Sequence, residues 1–328
     1  MKEISITEIG PVYIGQTEDR RAATGCTVFV CPEGMAAGAD VRGGGPSSRE
    51  PLLLDPLMAA ERIHAVVLAG GSSFGLGASD GVMKLLEERG IGFDVAVTRV
   101  PLVVQSDIFD LTVADPFTRP DAAMGYEAAR LALDSPNYAD GSFGAGVGAT
   151  VGKICGMDRC MKGGIGSFAV ENGDLRIGAV SVVNALGDVY SSDGRKIAGL
   201  LNEEKTGFAD TTRYMLASRL PENKFLVNAN TTLTVVITNA LLSKRQLCKT
   251  AGMAHNGYAR SIRPVHTSAD GDTVYAVSCG SVTADPDVVG ILAAEVTSRA
   301  IERAVLSARS AYGYPSSREI IGSTEPGD

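Results

Sequence analysis

The chain has 328 residues, which allows two domains by length, although α/β chains of this size often fold as one unit. Apolar residues make up 45% and charged residues 21%; with 5% aromatics, no Trp and 39 Gly, the core must be built mainly from Val, Ile, Leu and Ala, with close backbone approaches. A net charge of −8 argues against a nucleic-acid partner, no run of about 18 apolar residues could span a membrane, and the opening MKEISITEIG lacks an apolar stretch of signal length, so a cytoplasmic protein is expected.

In chain order, a strand is predicted at 26–31 (CTVFVC) and a helix at 56–63. A strand at 65–69 follows, then helices at 77–88 and 120–133. Pro120 suits a first helical turn, and Asp121 beside it complements the helix dipole. Strands are predicted at 145–153, 177–183 and 232–238, a helix at 240–259 and a strand at 273–278. These strand segments are rich in Val, Ile, Thr or small residues and are bounded by Gly, Pro or Asp. A long helix over 288–311 takes Asp287 as its N-cap and carries Glu295, Arg299 and Arg303 on a polar stripe. The alternation is too irregular for a doubly wound sheet and points to a layered α/β or α+β architecture.

The six Cys belong to a reducing compartment. Cys26 with Cys31 and Cys155 with Cys160 share a spacing, but a thiolate metal site needs tighter pairs, and His64, His255 and His266 are scattered and read as structural. No metal and no cofactor is expected. Two glycine-rich segments invite a phosphate-binding reading. In GSFGAGVGATVGKI a P-loop would need Gly where Val147 stands and Ser or Thr where Ile154 stands. In AGGSSFGLGASDG the third Gly of a dinucleotide fingerprint is misplaced. Their backbones could instead approach one another or turn N–H groups toward a substrate. Lys153 ends a small-residue strand; on residues alone it snorkels from the strand end, the alternative being a buried Lys with a task.

The stretch LVNANTTLTVVITNALLSK places a Thr directly after Asn at the start of a β-branched strand, ordinarily no more than a strand start. Further on, RPVHTSADGDTVYAV sets Asp270 and Asp272 about Gly271 in a tight turn that lacks the ligands of a calcium loop. Together with DVRGGGPSSRE (40–50), HAVVLAGGSSFGL (64–76), GAGVGATVGK (144–153), MKGGIGS (161–167) and VVNALGDV (182–189), these blocks resemble the self-processing amide hydrolases related to L-aminopeptidase D-amidase/esterase and to endo-type nylon-oligomer (6-aminohexanoate) hydrolase.

That resemblance implies an α+β fold, a four-layer αββα sandwich like that of N-terminal-nucleophile hydrolases, as one domain over 1–328. It implies a cut between Asn230 and Thr231 into fragments 1–230 and 231–328, with Thr231 as nucleophile, and tetramers of the processed pairs. Lys153 matches the family's active-site lysine, Asn184 the side-chain amide of the oxyanion hole, and Asp270 and Asp272 the acidic pair, both expected to stay ionised. Several relatives place Tyr where this chain has Phe74, which cannot donate a hydrogen bond, so backbone N–H groups from Gly70, Gly71, Ser72 and Ser73 are the substitute candidates. Phe74 is left as a substrate-pocket candidate. The expected substrate is a short peptide or a nylon-type oligoamide; the alternatives are an acyltransferase working through the same acyl-enzyme and a non-catalytic binding protein on the same fold.

Overall fold

A computed structural model describes residues 1–217 and 230–324. Ten strands form the framework: β1 (Lys2–Ile4), β2 (Tyr13–Asp19), β3 (Thr24–Val41), β4 (Ser48–Arg49), β5 (Ile63–Ala69), β6 (Val103–Asp107), β7 (Gly164–Asn172), β8 (Leu175–Asn184), β9 (Thr231–Ala240) and β10 (Thr273–Val282). Their order is β1-β7-β8-β9-β10-β3-β5-β6-β4, with β2 also on β3. The pairs β9–β10 and β5–β6 are parallel and the others antiparallel.

The 18-residue strand β3 belongs to two sheets. Residues 24–30 pair with β2 and β5, the register breaks between Val30 and Met35, and residues 36–41 pair with β10. The two sheets face each other, and alternation along each strand fills three cores. Leu233, Val235 and Ile237 of β9 meet Phe29, Val66 and Leu68 between the sheets. Val236 and Ala240 point the other way, onto Leu247 and Ala251 of α3 (Lys244–Ser261) and Val289 and Val296 of α4 (Pro286–Ser307). Val28, Val30 and Val67 cover the outer face of the second sheet under α1 (Ala78–Glu88) and α2 (Ala122–Asp134). The result is the expected αββα sandwich. Among the described residues no helix is long and apolar enough to cross a membrane.

Several local expectations are corrected. No helix forms at 56–63: the Lys244 ammonium takes the carbonyl oxygens of Met58 and Ala60 at 3.1 and 2.9 Å, which holds that stretch out of a helical ladder. The predicted strand 145–153 survives only at Thr150–Val151, because positive φ at Gly144 and Gly152 breaks it. Helix α3 starts at Lys244 rather than 240, where the Ser243–Gln246 capping box sets its first turn. Helix α4 is capped by Asp285, whose carboxylate accepts the Asp287 N–H, with Pro286 in the first turn. Asp121 caps α2 by accepting the Met124 N–H at 2.9 Å.

Candidate active site

Thr231 opens β9, opposite Asn184 at the end of β8. One residue earlier the chain leaves β8 and turns to the β10 side, where Asn230 makes a parallel bridge to Asp270. The Asn230 N–H donates to the Ala269 carbonyl at 3.2 Å, and the Asn230 carbonyl accepts the Gly271 N–H at 2.7 Å. The Thr231 hydroxyl donates to that same carbonyl oxygen at 2.5 Å. Both residues are buried, Asn230 at 1% and Thr231 at 5% exposure. This peptide bond, flanked by a hydroxyl, therefore has its oxygen polarised by a backbone donor, in a place with little water to compete. The branched Cβ of Thr limits χ1 and helps keep the hydroxyl there.

Gly271 sits where a side chain would not fit. A Cβ built on it would lie 2.7 Å from Thr231 Oγ1 and 3.0 Å from the Gly45 carbonyl oxygen, so no side chain fits between the Thr231 hydroxyl and the loop that covers it. Gly45 in turn donates its N–H to the Asp270 carbonyl at 2.9 Å. If the chain cuts its 230–231 bond, Gly271→Ala is expected to slow that cut by about a hundredfold, the scale of one displaced oxyanion donor, while leaving a folded chain. The time course of chain length on a denaturing gel reads this out; a wild-type rate removes Gly271 from the site.

The acidic pair divides its work. Asp272 is almost fully buried; its Oδ1 accepts the Thr232 N–H at 2.8 Å, and its Oδ2 accepts the His266 N–H at 3.1 Å and lies 2.8 Å from His266 Nδ1. It thus holds the residue after the nucleophile. Asp270 turns its Oδ2 to the Thr267 N–H and hydroxyl at 2.8 and 2.6 Å. Burial first, and then the neighbouring Asp272, push the Asp270 carboxyl up from 3.8 to about 6, against the pull of Thr267 and Lys153. At about 6 the Asp270 carboxyl is mostly ionised at neutral pH and takes up a proton just below it.

Lys153 does not snorkel. It is 3% exposed, and its ammonium donates to the Asn184 backbone oxygen at 2.9 Å and to Asn184 Oδ1 at 2.8 Å. Desolvation draws it from 10.5 down to about 7, with Cys160, Asp270 and Asp110 pulling back up. Asn184 Oδ1 also accepts the Thr150 N–H at 3.0 Å, and the Asn184 amide nitrogen donates to the Phe109 carbonyl at 3.1 Å. One N–H of that amide is thus turned to Phe109, and Asn184, the register partner of Thr231, holds Lys153 beside it.

Three of the four expected backbone donors are spent elsewhere. The Gly70 N–H goes to the Gly25 carbonyl at 2.9 Å, Gly71 to Asp110 Oδ1 at 2.7 Å and Ser72 to the Ile108 carbonyl at 2.9 Å. The Ser73 hydroxyl accepts from Ser47 at 3.3 Å, on the loop that carries Gly45 across Gly271. Phe74 is 62% exposed, with the Arg119 guanidinium 3.7 Å over its ring. The donor that does reach the Asn230 carbonyl is the Gly271 N–H.

The sequence profile of peptidase family S58 matches residues 5–318. An uncharacterized aminopeptidase of Mycobacterium leprae is 38% identical over 353 residues, covering 95% of this chain and 92% of that protein. The 6-aminohexanoate-oligomer endohydrolase of Agromyces sp. (strain KY5R) is 31% identical over 273 residues, covering 83% of this chain and 74% of that one. Among solved structures, a β-aminopeptidase of Burkholderia sp. matches with a TM-score of 0.68 at 19% identity, over 97% of this chain and 92% of that chain. The L-aminopeptidase D-Ala-esterase/amidase of Ochrobactrum anthropi, described as a variant of the Ntn hydrolase fold, matches at 0.66 and 18%, over 93% and 86%. At these identities the two structural likenesses establish the fold.

Proposed function

The chain belongs to peptidase family S58 and is an amide hydrolase, and from that premise we propose that it matures by cutting itself between Asn230 and Thr231 and then hydrolyses short peptides and related oligoamides with Thr231 as an N-terminal nucleophile. The observation that carries this reading is the Thr231 hydroxyl 2.5 Å from the Asn230 carbonyl oxygen while Gly271 donates to that oxygen.

In the uncut chain Thr231 Oγ1 attacks the Asn230 carbonyl carbon, and the negative charge that gathers on the oxygen is met by the Gly271 N–H. The C–N bond to Thr231 breaks as its nitrogen leaves with a proton, leaving an Asn230 ester on Oγ1. Water hydrolyses the ester to an Asn230 carboxylate, a free Thr231 hydroxyl and a new α-amine, with fragments of 230 and 98 residues (328 − 230). An α-amine has a reference pKa of about 7.7–8.0, so a useful fraction is neutral at working pH. That amine takes the hydroxyl proton when Oγ1 attacks a substrate carbonyl and passes it to the departing amine; water then frees the acyl group. The Lys153 cation, held by Asn184, favours the neutral amine and the oxyanion. Asp270 balances the ammonium that forms in turnover.

The sign of the Asp270 effect fixes a pH prediction. Because burial raises its carboxyl to about 6, it becomes protonated as pH falls through that value, and the fall in kcat/KM already set by protonation of the Thr231 α-amine steepens below about 6 from about tenfold to up to about a hundredfold per pH unit. Asp270→Asn removes this added steepness and lowers activity at every pH; an unchanged slope below about 6 assigns it to another group. The substrate claim is tested by a chain-length series of peptides and 6-aminohexanoate oligomers offered to the cut protein. Release of amine from any of them supports the reading, and a cut protein that hydrolyses none contradicts it. The relative rates at chain ends and interior bonds separate terminal from internal cleavage.

A further inference from the structure

We infer that His266, with Tyr258 behind it, is a positioning residue for turnover: it fixes Asp272, and through Asp272 the peptide that aims the new amino terminus. The inference rests on Thr231 being that terminus.

Before the cut, Thr231 is held from both directions. Upstream, Asn230 is tied by its N–H to Ala269 and by its carbonyl to Gly271. After the cut those bonds no longer constrain Thr231, and its position depends on what grips β9 from the other side. Thr232 is gripped at both peptide groups. Its N–H donates to Asp272 Oδ1 at 2.8 Å, and its carbonyl accepts the Tyr258 hydroxyl at 3.1 Å. The Tyr258 oxygen also lies 2.9 Å from Thr234 Oγ1 and 3.0 Å from the Thr273 carbonyl, so it bridges β9 and β10 just past the nucleophile.

His266 joins the two grips. Its backbone N–H and Nδ1 both engage Asp272 Oδ2, at 3.1 and 2.8 Å, and its ring stacks on Tyr258 with centroids 5.6 Å apart. His255 closes the cluster edge-on, 4.7 Å from His266 and 4.9 Å from Tyr258. With Asp272 Oδ1 given to Thr232, two donors of His266 fix Oδ2, and loss of the ring donor leaves that oxygen on one longer backbone N–H and the carboxylate less firmly set against the ladder. His266 holds this place at φ +58, a left-handed conformation uncommon for a residue with a side chain. A side chain kept in that conformation, with its ring nitrogen on a buried carboxylate, suits a placed donor better than a filler of space.

The test uses variants that separate donor, ring and backbone. His266→Phe keeps a ring against Tyr258 and removes the donor; His266→Gly removes the donor at no backbone strain. His266→Asn keeps a side-chain N–H near the place of Nδ1 and tolerates the left-handed conformation. Intact mass first establishes that the wild type is cut, and active-site titration then puts kcat on a per-site basis. The expected result is a kcat lowered about ten- to a hundredfold in both His266→Phe and His266→Gly, the scale of a lost hydrogen bond to a carboxylate, with KM within about twofold. Cutting, in which Thr231 is still held from both sides, changes by less than about threefold, and His266→Asn returns kcat to within about threefold of wild type. Wild-type kcat per titrated site in both the Phe and the Gly variants overturns the inference, as does a loss that the Asn variant does not restore. A wild type that is never cut and never active overturns the functional reading itself, which is a different outcome.

Discussion

Thr231→Ala is expected to yield one uncut chain of 328 residues with no measurable amide hydrolysis. The substitution removes the oxygen that lies 2.5 Å from the Asn230 carbonyl oxygen and leaves a methyl group, so neither the ester nor the acyl-enzyme can form. Loss of a nucleophile typically costs about 10⁴-fold or more, because the remaining groups cannot substitute for the covalent step. Thr231→Ser restores the oxygen without the second Cβ substituent, and it is expected to cut and turn over more slowly, since an unbranched side chain is less confined in χ1. Mass and activity are measured on the same samples. Cleavage at 230–231 in the Ala variant contradicts the assignment of the hydroxyl.

Lys153→Met separates function from stability. Met approximates the length of the Lys side chain and carries no charge, so the volume is largely kept while Asn184 loses the ammonium at both its oxygens. Turnover is expected to fall by about 10² to 10³, the scale of one lost electrostatic stabiliser of the oxyanion. Stability moves in the other direction at low pH. The folded protein holds Lys153 at about 7 against an ordinary value of 10.5, so between those values the unfolded chain binds a proton that the fold does not. The Lys153 contribution to stability therefore rises with pH across that window, and below about 7 its full cost is present. The melting temperature of Lys153→Met, taken relative to wild type, is accordingly higher at about pH 6 than at about pH 9.5. A difference that does not vary with pH shows that the buried ammonium is not destabilised by the fold.

What could be read from the residues, and what could not, follows a physical division. Strand β9 was legible because TTLTVVITNA combines β-branched residues with alternation, and α1, α2, α3 and α4 because their apolar residues recur at helical spacing. Strand β6, VVQSD, was not, because all its residues are buried and its polar members, Gln105 and Asp107, are satisfied or enclosed by distant groups. The stretch 56–63 has helix-forming composition, but Lys244, far away in sequence, claims its carbonyls. At the site, Thr231, Lys153, Asn184 and the two Asp were visible through resemblance to a family, and the structure brings them about one peptide bond. The Gly271 N–H and the His266 ring were not visible as functional groups. One acts through its backbone and through the absence of a side chain, and the other through a carboxylate six residues on, so neither leaves a periodicity or spacing that marks its task.

The central claim is that the 230–231 bond is cut by the chain itself. An intact mass spectrum of the purified wild-type protein under denaturing conditions tests it most directly. The account predicts two species whose termini meet between Asn230 and Thr231, of 230 and 98 residues (328 − 230), appearing without added protease. A single chain of 328 residues that persists through hours of incubation while hydrolysing amides contradicts it, because an uncut Thr231 has no α-amine with which to work.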